Sequence, residues 1–226
     1  MSKFGACSMV LPSRFGASWA EAMLNAKRVF HKNIQQVNEL GAVYDHLSNV
    51  VNIPEQFDDL LRSQIVNAVS AFDKLMHDLI RIGMVKIFEN QRPPTGKYMS
   101  EAIAIQHLSS LTTSAVPPPA VRFEQIVREK LSTLSFQDPT KIADGLSYIW
   151  NEKQKWQQIA LGLGMSDGDA KTKQKLIATR RNAIVHEADL DPVSNQKQSI
   201  TRAETTDIAE FLLALGNRIC DLVVEI

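Results

Sequence analysis

The chain has 226 residues, 44% of them hydrophobic, and carries 25 Lys+Arg against 25 Asp+Glu for a formal net charge of zero. That length can bury a real core as one large domain or two small ones, while the balanced charge excludes a global positive field for nucleic acid and the acidic excess of a disordered chain. Any polyanion site must therefore be local, and no stretch approaches the ~18 to 20 continuous apolar residues of a membrane-spanning helix.

The elements are almost all helical, because apolar residues recur at three- and four-residue steps and no alternating β-branched run appears. At the amino end a lone Lys3 precedes "FGACSMVL", but Pro12 and Arg14 interrupt the run before it can serve as a signal peptide, so residues 1–16 are read as a poorly ordered tail. A first helix is expected over about Ser18 to Ser48, with Trp19, Met23, Val29, Val37, Leu40, Val43 and Leu47 apolar and Gly41 as a place to bend. Pro54 suits the first turn of a long second helix, residues 54 to about 90, whose stripe Leu61, Ile65, Val69, Phe72, Met76, Leu79 and Ile80 makes it the central core helix. "QRPPTGKY" and "SAVPPPAV" are read as loops, since proline removes a donor and restrains its predecessor. Short helices follow near Ser100 to Leu111, Ala120 to Leu134, Pro139 to Trp150 and Lys153 to Leu161. Ser166 to Asp169 offer a cap and acidic charge to the next helix, and a last one spans about Arg202 to Val224. The expected fold is all-α, a single domain over 17–226 built as a helical bundle around the long central helix.

Several chemistries fall away. "GLGMSDG" spaces its glycines wrongly for a dinucleotide loop and no strand precedes it. Asp167, Asp169, Asp189 and Asp191 lack the spacing of a calcium loop and read as caps and turn residues. Cys7 and Cys220 lie at opposite ends, leaving no zinc or redox pair and fitting a reducing, cytoplasmic location. Neither a metal nor a cofactor is expected.

The segment "RRNAIVHEADLDP", residues 180–192, concentrates the remaining chemistry. Histidine moves protons near neutral pH, arginine forks toward phosphate oxygens and asparagine orients a ring or a ligand, a set suited to phosphodiester cleavage. In RNA the 2′-hydroxyl is a built-in nucleophile, so no metal-bound water is required. Asn182 and His186, four apart, share a helix face, whereas Arg181 and His186, five apart, diverge by about 140°. A second copy across a two-fold axis would supply convergence. Arg180, Lys175 and Lys171 are candidate substrate-binding residues; the lysines form either a backbone-binding stripe or a solvated face. Asp73 and His77 form four-residue steps with Arg81 and could support a site or simply pair along their helix.

"RNAIVH" matches the R-x(4–6)-H signature of HEPN domains, with the polar residue common just after the arginine, at Arg181, Asn182 and His186. "AFDKLMHDLIRIGM", residues 71–84, resembles the long second helix of the RiboL-PSP branch, which extends the resemblance from about Ala17 onward. The resemblance implies an all-α bundle, often homodimeric, acting as a metal-independent endoribonuclease on RNA in toxin, RNA-processing or antiviral systems, with an antitoxin or regulatory protein as partner. A non-catalytic HEPN module that binds RNA, a nucleotide or a protein is the alternative.

Overall fold

The computed structural model describes residues 19–50, 57–113 and 116–224. Among them are nine helices: α1 (Trp19–Val50), α2 (Asp58–Phe88), α3 (Gly96–Met99), α4 (Ile105–Thr113), α5 (Pro119–Leu131), α6 (Pro139–Leu146), α7 (Lys155–Leu163), α8 (Asp167–His186) and α9 (Arg202–Val224). The described residues form no strand, and a lone bridge joins Leu190 to Lys197. The all-α expectation holds; the amino-terminal tail and Pro54 lie outside the described residues.

α2 is central because most of its circumference is buried, only a polar stripe of Asp59, Ser63, Asn67, Ser70 and Lys74 being exposed. Leu61, Ile65, Val69, Phe72, Met76, Leu79 and Ile80 are at most 1% exposed, and α1, α5, α6, α8 and α9 all pack against it. Its acidic first turn, Asp58 and Asp59, favours the positive end of the helix dipole. α1 contributes a narrower stripe than its sequence promised: Met23, Ala26, Phe30, Ile34 and Val37 are buried, whereas Val29 and Val43 face outward. α1 also runs through Gly41, where the missing side chain leaves room for the guanidinium of Arg202, itself bonded to Asp45. α9 closes the layer; a Cβ at its Gly216 would lie 2.5 Å from Phe30 Cε1, so only glycine permits that crossing.

The first proline-rich segment is more than a loop. Thr95 accepts a hydrogen bond from Tyr98 N and caps α3, and Arg92 is buried, donating to the Val223 and Ile149 carbonyls. Burial pulls the Arg92 pKa down to about 10. The helix near Ser100 begins instead at Ile105, the one near Pro139 stops at Leu146 before a run of turns, and Gly164 ends α7 at φ +65°, a left-handed conformation that favours glycine.

Candidate functional site

α8 begins as its sequence dictates: Ser166 accepts from Asp169 N at 3.1 Å, and Asp167 and Asp169 occupy the first turn. Its buried residues are Ala170, Gln174, Ile177 and Ala178. Arg181 lies seven residues after Gln174 and four after Ile177, so it continues this inward stripe rather than the solvent face. The stem is accordingly half-covered, Nε is buried without a hydrogen-bond partner, and Nη1 donates to Asn182 Oδ1 at 3.1 Å. Lys175, Thr179, Asn182 and His186 recur at steps of four, three and four along the neighbouring exposed face, and His186 is the last residue of the helix.

These two faces meet at a cleft of ≈ 350 Å³, into which α8 contributes Lys175, Ala178, Thr179, Arg181, Asn182 and His186. Ser135, Gln137, Asp138 and Lys141 form the opposite wall. Arg181 and His186 thus border one cavity within a single chain. The wheel angle between them is correct for their Cβ atoms, but arginine is long enough to turn its guanidinium across the difference.

The opposite wall is held from behind. Fully buried Gln174 donates from Nε2 to the Gln137 carbonyl at 2.8 Å, and Phe136 N donates to Asp73 Oδ1 at 2.6 Å. The His77 ring packs edge-on against Phe136, 4.8 Å between centroids, with His77 Nε2 4.0 Å from Asp73. Asp73 and His77 therefore do not line the cleft; they touch the segment that does. Asp138 caps α6 through Thr140 N at 2.8 Å, fixing where Lys141 emerges. Lys141 escaped the sequence reading because no motif surrounds it; only the fold brings α6 beside α8.

Arg180 is also turned away from the cleft. Its guanidinium donates to Gln198 Oε1 at 2.5 Å, to Ser199 O at 3.0 Å and to Asp189 Oδ2 at 3.0 Å. Asp189, 1% exposed, receives Arg62 Nε at 2.7 Å on the same oxygen, and Arg62 Nη2 binds the Gln198 carbonyl at 2.7 Å. Two arginines and one carboxylate thus clamp the segment that follows His186 onto α2 and α8. Asp191 is a turn residue, as expected: the Ser194 backbone and hydroxyl and the Val193 N–H bond its carboxylate and hold its pKa below the ordinary value. Lys171 pairs with Asp167 at 2.8 Å and borders a second cavity rather than this one.

Chemically, the cleft gathers an imidazole, a guanidinium, an amide and two lysines that have no carboxylate partner among the described residues. That combination suits a phosphodiester, with charge for its oxygens and a group able to move a proton. Among the described residues no three His, Cys, Asp or Glu side chains are grouped to hold a metal ion, and no helix is long and apolar enough to cross a membrane. A family model described as RiboL-PSP-HEPN matches residues 31–225. No curated protein and no solved structure matches the chain.

Proposed function

Because the chain belongs to the RiboL-PSP-HEPN family, we propose that it is an endoribonuclease that cleaves RNA by attack of the 2′-hydroxyl on the adjacent phosphate, with residues 17–226 acting as one domain. The observation that carries this reading is the shared cleft of Arg181, Asn182 and His186, flanked by Lys141 and Lys175.

In the proposed reaction His186 takes the proton from the 2′-hydroxyl. The 2′-oxygen bonds to phosphorus, the bond to the 5′-oxygen breaks, and that oxygen is protonated from solvent in the open cleft. The products are a 2′,3′-cyclic phosphate and a 5′-hydroxyl. Arg181 stabilises the charge on the phosphate oxygens, and a half-buried guanidinium does so more strongly than one in bulk water. Asn182, bonded to Arg181, orients it. Metal independence belongs to the proposal because the nucleophile comes from the substrate and the proton acceptor from the protein. The homodimer implied by family resemblance is retained, and Arg181 and His186 border one cavity within each chain. A toxin or defence role with a restraining partner, in the cytoplasm, is the setting such an activity fits.

The test is incubation of wild-type and His186→Ala protein with single-stranded RNAs in excess chelator. Wild-type cleavage that drops ~100- to 10,000-fold in the variant is the expected result for loss of general acid–base catalysis. RNA bound but never cut would favour the non-catalytic module.

A further inference from the structure

The cleft is not the end of the basic surface. A second cavity of ≈ 240 Å³ lies along the same side of α8, bordered by Lys171 and Asp167 of α8, Lys153, Lys155 and Trp156 around the start of α7, and Ala143 of α6. The first cavity is bordered by α6 and α8 as well, through Lys141 and Lys175. Both therefore open along the seam between these two helices. The seam is braced as one surface: Trp156 Nε1 donates to the Pro139 carbonyl at 2.9 Å, joining α7 to the first residue of α6, and Gln174 holds Gln137 just before it.

The charge of this seam contrasts with the neutral chain. Most lysines elsewhere are neutralised: Lys27 by Asp221, Lys74 by Asp78, Lys97 by Asp144, Lys130 by Glu101, Lys173 by Asp207 and Lys197 by Asp59. Lys141, Lys153 and Lys175 are exposed and have no such partner among the described residues, and all three border the two cavities. Arg181, His186 and Lys171, which pairs with Asp167, border them too; the acidic residues lining the two cavities are Asp138 and Asp167, while Glu152 and Asp144 act on Lys155 at the second. Asp138 is engaged in capping α6 and Asp167 in pairing with Lys171.

We infer that the α6–α8 seam is the path of a single RNA strand, with the Lys153–Lys171 cavity a second phosphate subsite for nucleotides flanking the one cut at Arg181 and His186. This deepens the proposed ribonuclease reading and rests on it. Lys171 precedes Arg181 by ten residues of α8, about 15 Å at ~1.5 Å per residue. A stacked strand advances roughly 3.4 Å per nucleotide, so about four nucleotides span the two subsites. A single strand is the fitting occupant because its backbone can turn the 2′-oxygen in line with the leaving oxygen, which a regular A-form duplex prevents. The contacts are to backbone charge, so the second subsite adds affinity and length preference rather than base specificity.

The experiment measures binding of octauridylate and of the dinucleotide UpU to the His186→Ala protein across a salt series, with and without Lys153→Gln/Lys171→Gln. Each phosphate contact to a single strand contributes about 0.7 to the slope of log affinity against log salt, so the double substitution should lower the octamer slope by about 1.4. UpU, which reaches only the first cleft, should bind unchanged, and Lys153→Arg/Lys171→Arg should restore the octamer slope. Should the double variant fold poorly, Lys153→Gln alone, at an exposed unpaired side chain, should lower the slope by about 0.7. An unchanged octamer slope, an equal loss for UpU, or no octamer binding at all overturns the RNA path. Cleavage by the wild-type protein in chelator is read separately: binding with the expected slopes but no cleavage leaves the seam standing and overturns catalysis, whereas cleavage with unchanged slopes overturns the seam alone.

Discussion

Arg62 Nε donates to Asp189 Oδ2 at 2.7 Å, tying the start of α2 to the turn three residues beyond His186. Arg180 reaches the same oxygen, so one buried carboxylate is shared by two guanidinium groups, of which Arg62 also pairs with Asp59 at 3.3 Å. Removing it would leave both charges facing a site that has lost its anion. Asp189→Ala should cost about 3–5 kcal/mol in urea unfolding, the range for breaking a buried pair by deleting one partner. Asp189→Asn, which keeps the shape and one acceptor, should cost less. A loss below about 1 kcal/mol for the alanine variant would mean that the clamp does not hold the segment.

Within the clamped helix end, Arg181 and His186 border one cavity of one chain. Mixing inactive Arg181→Ala with inactive His186→Ala protein should therefore restore no RNA cleavage, even where the two variants pair. Recovery of a substantial fraction of wild-type rate would show that the site is assembled across a two-fold axis. Arg181→Lys should remain well below wild type, because an ammonium cannot fork toward two phosphate oxygens.

The far wall of the cleft depends on close packing at α6. A Cβ at Gly145 would lie 2.7 Å from Ile80 Cδ1 and press on the Phe136 ring. Phe136 immediately precedes Gln137 and Asp138, which border the cleft. Gly145→Ala should destabilise by about 1–3 kcal/mol, as overpacking does, and should raise KM for RNA more than it lowers kcat. Unchanged stability together with unchanged KM would separate the wall from this contact.

What the sequence revealed follows from how local each signal is. α9 was legible to its ends because Ile208, Leu212, Leu215 and Ile219 keep helical spacing, and the start of α8 because Ser166 caps it within three residues. Arg181, Asn182 and His186 were legible for the same reason, lying within six residues of one helix. Lys141 and Gln137 were not, since they reach α8 only after the chain has folded. Arg180 looked like a ligand beside Arg181, but its acceptors, Asp189, Gln198 and Ser199, lie beyond the helix. α3 was hidden by the prolines before it, although Thr95 was present as its cap.

Acid should loosen the contacts that Glu101 makes with Lys130 and Tyr148. Burial alone would raise its pKa, but hydrogen bonds from Lys130 and Tyr148 and the charge of Lys130 outweigh it and hold the carboxyl below its ordinary value of 4.5. A depressed folded pKa stabilises fully above the unfolded value and is lost as pH falls through the folded one. Wild-type unfolding free energy should therefore drop as pH falls below about 4.5, and Glu101→Gln should drop less steeply over the same window. Identical slopes would exclude this carboxylate as the origin of the acid sensitivity.

The central claim is that His186 and Arg181 direct the substrate's own 2′-hydroxyl at the phosphate. The measurement that tests it most directly is mass analysis of fragments made by the wild-type protein in excess chelator from an RNA and from the same RNA with a 2′-deoxynucleotide at the cleaved position. The account predicts a 2′,3′-cyclic phosphate from the first and no cleavage at that position in the second. A cut at the deoxy position, or a 3′-hydroxyl product appearing only when magnesium or manganese is supplied, would contradict it.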